Sequence, residues 1–262
     1  VSIAGNLNFM KRNIFRAICD HLYKTLIGVA LKLRYKFKVQ GLTSLQLDPK
    51  KGNLFLANHV AEIDPVILEY FLWPKCHLRP IAVEYLFCSP MVRWLLKSVR
   101  AVPIPQVVPG KSSKETVKQL NELYDYVTAC IDHGESFLLY PSGRLSRNGQ
   151  EEIGNQYSAH VLLQRVKSCN VFLVRISGLW GSVFSRYKRN STPQLGHACK
   201  KAFFFLLRRA FFFMPKRLVK ITVQQFDTQM LQSFTDRRDL NAFLASWFNQ
   251  EDEILPVEVP YT

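Results

Sequence analysis

Leu54-Phe55-Leu56-Ala57-Asn58-His59-Val60-Ala61-Glu62-Ile63-Asp64-Pro65 is the stretch on which the rest of the chain hangs. Its uncharged apolar start reads as a strand running from Asn53 into a loop at His59. Asp64-Pro65 then opens a helix that extends to about Leu72. An apolar strand thus delivers Asn58 and His59 to its end, and a carboxylate follows five residues after the histidine. Across one loop-to-helix turn, that spacing lets Asp64 return to an imidazole nitrogen. A carboxylate there fixes the tautomer and stabilises the imidazolium, leaving the other nitrogen as a base. The same residues also read as a plain helix start, with Asp64 as N-cap and Pro65 at the first helical position.

Working outward, the apolar period keeps switching between strand and helix. Tyr35 to Gly41, Leu78 to Glu84, Arg100 to Pro105, Ser136 to Tyr140, Val171 to Gly178 and Leu218 to Phe226 read as strands. Ser89 to Val99, Ser112 to His133, the segment from Asn155 to about Cys169, and Asp236 to Asn249 read as helices. The helix over Ser112–His133 has the clearest stripe: Val117, Leu120, Leu123 or Tyr124, Val127 and Ile131, with Gly134 as its stop. Alternation of this kind predicts a single α/β domain over residues 35–262, built on a mostly buried mixed sheet flanked by helices. Residues 1–34 form a separate N-terminal basic amphipathic segment. Within it Ile14, Ile18, Leu22, Leu26 and Ala30 recur every four residues opposite Arg16, Asp20 and Lys24. That helix either packs on the domain or lies in a lipid interface.

Composition narrows the partners. Thirty-five Lys and Arg against 20 Asp and Glu give a formal net charge of +15, which favours polyanions. Residues 198–217 interleave this charge with Phe203-Phe204-Phe205 and Phe211-Phe212-Phe213. A membrane span is disfavoured, because Arg208 and Arg209 at its centre would cost roughly 2.5–3.5 kcal/mol each. A membrane-resting helix would sink the Phe and hold lipid phosphates with the Arg; a core helix would bury the Phe instead. Phe triplets suit a bilayer better than base stacking, and no zinc-finger spacing or RNA-binding motif is present, so no nucleic-acid partner is expected. The six Cys lack paired spacing, which reads as reduced thiols rather than disulfides or a metal site.

A second segment carries chemistry: Phe137-Leu138-Leu139-Tyr140-Pro141-Ser142-Gly143-Arg144-Leu145-Ser146-Arg147. A strand runs into a Pro–Gly turn that presents Arg144 and Arg147, with free backbone N–H groups at Gly143, a geometry suited to a phosphate. Read plainly, it is also a surface turn with two solvated Arg.

At these residues the sequence resembles the family of glycerolipid acyltransferases related to bacterial 1-acylglycerol-3-phosphate acyltransferase. Asn58, His59 and Asp64 match the family's Asn-His-x-x-x-x-Asp motif, and Tyr140-Pro141-Ser142-Gly143-Arg144 falls where the family has Phe-Pro-Glu-Gly and an Arg. Arg175-Ile176-Ser177-Gly178-Leu179-Trp180-Gly181-Ser182 is similar to the acyltransferase segment of 2-acylglycerophosphoethanolamine acyltransferases. The chain departs from the pattern at three places. Ser142 stands where the family has Glu, Gln106 where it has a phosphate-binding Arg, and Leu173 near its usual Pro. Arg100, at the other end of the Arg100–Gln106 run, is the candidate substitute for that Arg.

The resemblance implies a one-step transfer without a covalent enzyme intermediate and without a cofactor or metal. His59 would take the proton of a lysophospholipid hydroxyl, Asp64 would orient His59, and Asn58, Ser142, Gly143, Arg144 and Arg100 would bind substrate. Acyl-CoA or acyl carrier protein would be the donor, both acidic partners for a basic surface. An anionic membrane surface is the expected setting, with the protein peripheral on the cytoplasmic face of the cell (inner) membrane. The alternative is a catalytically degenerate module that holds lipid or acyl carrier without turnover.

Overall fold

The computed structural model describes residues 25–43, 45, 47–48, 51–106, 114–188, 192–193, 195–208, 215–250, 255–257 and 259. Helix α1 covers residues 25–34. It is followed by β1 (Tyr35–Gln40), β2 (Gly52–Ala57), α2 (Asp64–Cys76) and β3 (Arg79–Val83). Next come a 3-10 turn (Glu84–Cys88), α3 (Pro90–Ser98), β4 (Val102–Ile104), α4 (Lys114–Asp132) and β5 (Ser136–Leu139). The chain continues through α5 (Ser158–Arg165), β6 (Cys169–Ser177), α6 (Leu195–Arg208), β7 (Arg217–Phe226), α7 (Thr228–Gln232) and α8 (Arg237–Phe248).

The strands form one seven-stranded sheet in the order β1-β7-β6-β2-β5-β3-β4. The uncharged strand β2 takes its centre, with all six residues buried. It pairs in parallel with β5 on one side and β6 on the other. β3 and β4 continue in the same direction, whereas β7 is antiparallel to β6 and carries β1 with it. The expected α/β class and mixed, buried sheet are what the structure has.

Successive residues of β2 point to opposite faces, and each face has its own core. Phe55 and Ala57 pack with Leu31 of α1, Ile67, Leu68 and Leu72 of α2, and Ala198 of α6. Leu54 and Leu56 pack with residues of α4, α5, α7 and α8 on the other side. Gly52 is needed where β2 starts, because a Cβ there would lie 2.0 Å from the Ile131 carbonyl at the end of α4. Helices on both faces leave the strand ends as the open edge. The C-terminal ends of β2, β5 and β6 therefore share one edge, the position at which ligands bind in open α/β sheets.

Several boundaries differ from the sequence expectation. α2 runs on to Cys76 with Pro74 in its last turn, and ends at His77 in a left-handed conformation, φ 47°. α5 stops at Arg165 because β6 begins at Cys169. The α4 stripe starts at Leu120 and uses Tyr124, while Val117 faces outward. The N-terminal stripe lies outside the described residues up to Leu22. Its continuation at Leu26 is 69% exposed and Ala30 is exposed too, while Leu31 on another face of α1 enters the core. Of the Phe-rich run, α6 is described to Arg208, and Phe203 and Phe204 are 55% and 67% exposed rather than buried.

Candidate active site

The site begins where the β2 ladder runs out. β2 pairs with β6 as far as Ala57, and the Asn58 N–H then donates to the Val174 carbonyl at 3.4 Å. The Asn58 side chain extends the ladder by imitating a peptide group. Its Nδ2 donates to the Ile176 carbonyl at 2.9 Å, and its Oδ1 accepts the Ile176 N–H at 2.8 Å. The main chain is thereby free to leave the sheet at the next residue, and that residue is His59.

The His59 imidazole stacks on Tyr140, the residue that follows β5, with ring centroids 4.1 Å apart. Its Nδ1 lies 3.2 Å from Asp64 Oδ2, and 15% of the side chain remains exposed. The same carboxylate oxygen accepts the Val60 and Ala61 N–H groups at 2.6 and 2.9 Å. Asp64 itself is fully buried. The reading of Asp64 as an N-cap is corrected here: Ile63 is the N-cap and Asp64 is already the first helical residue. Its carboxylate turns back over the preceding loop instead of capping α2, and the positive end of the helix dipole favours its charge. An ionised carboxylate only accepts, so the geometry assigns the imidazole proton to Nδ1 and leaves a lone pair on Nε2.

Burial alone would hold the His59 pKa down, but the Asp64 hydrogen bond and charge, with Glu62 and Glu151 beyond, outweigh it and raise it above the ordinary value. Glu62, in the same loop, is pushed up by burial. The Tyr140 phenol is pushed well above its usual range by burial, with Asp64, Glu69, Glu151 and Glu62 adding to the shift, and stays neutral.

The loop after β5 grips His59 from the other side. The Ser146 N–H donates to the His59 carbonyl at 2.8 Å, and the His59 N–H donates to Glu151 Oε2 at 2.9 Å. Gly143 takes a left-handed φ of 62° as the last residue of a turn whose central pair is Pro141-Ser142. Its N–H is not free, however, and the expectation is corrected: it closes the turn on the Tyr140 carbonyl at 2.9 Å. Ser142 is buried and its hydroxyl donates to the Arg144 carbonyl at 2.9 Å. Arg144 is exposed and sits 3.5 Å from Glu152 Oε2. Arg144 and Arg147 border a shallow surface depression that Ser146 and Glu151, the two residues from this loop that hold the His59 main chain, also line.

Arg100 is not brought to this place, and its assignment as a substitute ligand is corrected. It sits at φ 54° ahead of β4, with its guanidinium 3.2 Å from Glu135 Oε2. Glu135 also takes Arg79 at the start of β3, and Arg79 in turn reaches the Tyr126 hydroxyl at 3.0 Å. Glu135 precedes β5 whereas Tyr140 follows it, so this cluster lies at the opposite end of the strand, about 16 Å along. Gln106 follows the end of β4 and so falls toward the His59 edge.

Sequence reading missed Glu151 and the ring stack on Tyr140. Glu151-Glu152 in a polar loop reads as a solvated pair, and only the fold reveals that one of the two turns inward, across 92 residues, onto His59.

Comparison with known proteins agrees with this picture. The family model described as Acyltransferase matches residues 36–224, from β1 to β7. No curated protein matches the chain. Among solved structures, the 1-acyl-sn-glycerophosphate (LPA) acyltransferase PlsC from Thermotoga maritima matches with a TM-score of 0.59 and 16% identity, over 90% of this chain and 79% of that one. At that identity the likeness shows the fold alone. The family match spans well over half of the chain and includes both strand ends that build the site, so the protein belongs to the acyltransferase family and is an acyltransferase.

Proposed function

We propose that the protein transfers a fatty acyl group from acyl-CoA or acyl carrier protein to the hydroxyl of a lysophospholipid, either 1-acylglycerol-3-phosphate or a lysophosphatidylethanolamine-like acceptor. The observation that carries this reading is the 3.2 Å contact of His59 Nδ1 with the buried Asp64 carboxylate at the open sheet edge. His59 Nε2 takes the acceptor hydroxyl proton as the oxygen attacks the thioester carbonyl. The tetrahedral intermediate then expels the thiolate, which recovers the proton from the imidazolium. Asp64 stabilises that imidazolium while it exists. Asn58 acts by holding the strand end, and Ser142 and Gly143 by shaping the turn that carries Arg144. Arg144 and Arg147 supply the charge for the acceptor phosphate.

The direct test offers labelled acyl-CoA and acyl carrier protein to the purified protein against lysophosphatidate and lysophosphatidylethanolamine. Turnover with one pair fixes donor and acceptor together. A folded protein that binds vesicles but turns over no pair sinks the enzyme reading in favour of the lipid-holding module.

Arg144→Ala is expected to raise the acceptor KM about tenfold, the loss of one exposed charge-assisted contact, with kcat within about twofold. A change confined to the donor KM overturns the assignment.

The setting proposed is an anionic membrane surface, with the protein peripheral on the cytoplasmic face. Among the described residues no helix is long and apolar enough to cross a membrane. Support for surface binding comes from the exposed Leu26, Phe203 and Phe204, the last two beside the exposed Lys200 and Lys201. Cosedimentation with anionic vesicles is expected at low salt and weakens as salt rises. Phe203→Ser with Phe204→Ser should weaken it by about tenfold or more, since each ring buries apolar area in the interface. Unchanged binding in that double variant removes α6 from the membrane contact.

A further inference from the structure

We infer that Glu151 is a positioning residue for His59, a carboxylate that fixes the histidine main chain from outside the histidine's own motif. The role rests on His59 being the base.

Three successive N–H groups leave the end of β2 without ladder partners, and each ends on a carboxylate. Val60 and Ala61 donate to Asp64, and His59 donates to Glu151 at 2.9 Å. Asp64, the first residue of α2, follows directly on the same loop. Glu151 does not: it belongs to the loop after β5, and its main chain is tied to a third element. The Glu151 N–H donates to Asn249 Oδ1 at 2.8 Å, and the Glu151 carbonyl accepts from Asn249 Nδ2 at 3.1 Å. Asn249 is the residue that ends α8, where its own N–H donates to the Ala245 carbonyl. A single carboxamide thus holds both peptide groups of Glu151, as Asn58 holds both of Ile176.

The Glu151 side chain is buried and lines the same depression as Ser142. Burial pushes the Glu151 pKa up, against the pull of the His59 N–H. The groups facing His59 are Asp64, Glu62 and Glu151, all of which favour the imidazolium, and the neutral Tyr140 ring.

The experiment compares Glu151→Gln, Glu151→Ala and Asn249→Ala in the full chain. Each variant is followed by melting temperature, by kcat and acceptor KM, and by the His59 amide resonance, assigned with His59→Ala. Glu151→Ala is expected to lose about 30- to 100-fold in kcat, with the acceptor KM within about twofold, because a base held loosely fails in orientation before it fails in binding. Glu151→Gln keeps an acceptor oxygen and should stay within about fivefold, while the acid limb of its pH–rate profile moves to lower pH as one negative charge leaves His59. The His59 amide proton should move upfield in Glu151→Ala and less so in Glu151→Gln. A folded Glu151→Ala with kcat within twofold overturns the inference. If that variant does not fold, a Glu151→Gln protein with an unmoved His59 amide and an unmoved acid limb overturns it instead. Absence of turnover in the unaltered protein defeats the reaction reading on its own, and the amide shift still decides whether Glu151 holds His59.

Discussion

His59→Ala is expected to cut kcat by about a thousandfold or more and to leave the protein folded. The hydroxyl to be acylated ionises far above neutral pH, so without a base the attacking species is almost absent. A positioned general base contributes roughly 10²–10⁴ in rate. His59 is the one imidazole that the fold sets at the open end of the central strand, with Nδ1 on a buried carboxylate and Nε2 unengaged among the described residues. Folding should survive, because the ring lies at the rim and contributes one stacked face to Tyr140 rather than a core layer. The sign of the pH dependence follows from the raised His59 pKa. A base works when neutral, so activity should rise with pH through a value above 6.5 and be lost below it. Steady-state rates across pH, alongside a melting curve of the variant, check both parts. Residual activity above about a tenth of the original would falsify the role of His59.

Asp64→Asn should remove about 10²–10³ in kcat while melting close to the unaltered protein, and Asp64→Ala should lose both activity and stability. The difference lies in what each substitution leaves behind. An amide oxygen can still accept the Val60 and Ala61 N–H groups that now bond Oδ2, so the loop stays closed. What it cannot do is stabilise a charged imidazolium. With the carboxylate gone, the opposing effect of burial is free to lower the His59 pKa. Alanine removes the acceptor as well. It strands two buried N–H groups, at a cost of about 1–3 kcal/mol each. Rates and melting temperatures measured on the two variants separate the roles. If Asp64→Asn kept its kcat and lost its fold, Asp64 would be a loop brace only.

The parts of this site that were legible in the sequence are those made by neighbours. The uncharged run Leu54–Ala57 could be buried only as a central strand, and His59 and Asp64 are close enough along the chain for one turn to join them. The turn at Gly143 was legible for the same reason, since Pro141 and Gly143 at its second and fourth positions are residues such turns favour. Direction was not legible. Arg100 and Gln106 lie six residues apart on one β-like run, and only the pairing of β4 with β3 decides which end meets the site. Nor was the use of Asp64 within its helix, because N-cap and first helical residue differ by one position and lead the carboxylate to different N–H groups. Glu151 and Asn249 were invisible for a stronger reason: each matters through a contact across more than 90 residues, for which local pattern carries no signal.

That last contact has a bearing on how the protein is made. Synthesis delivers His59 and Asp64 well ahead of Glu151 and Asn249, and the seven strands described are all present once Phe226 has appeared. The tie from Asn249 to the Glu151 loop still waits on α8, the last helix described. A nascent chain therefore carries its reactive motif and its whole sheet before it carries the brace that steadies them. Competence therefore waits on a helix made after every strand of the sheet.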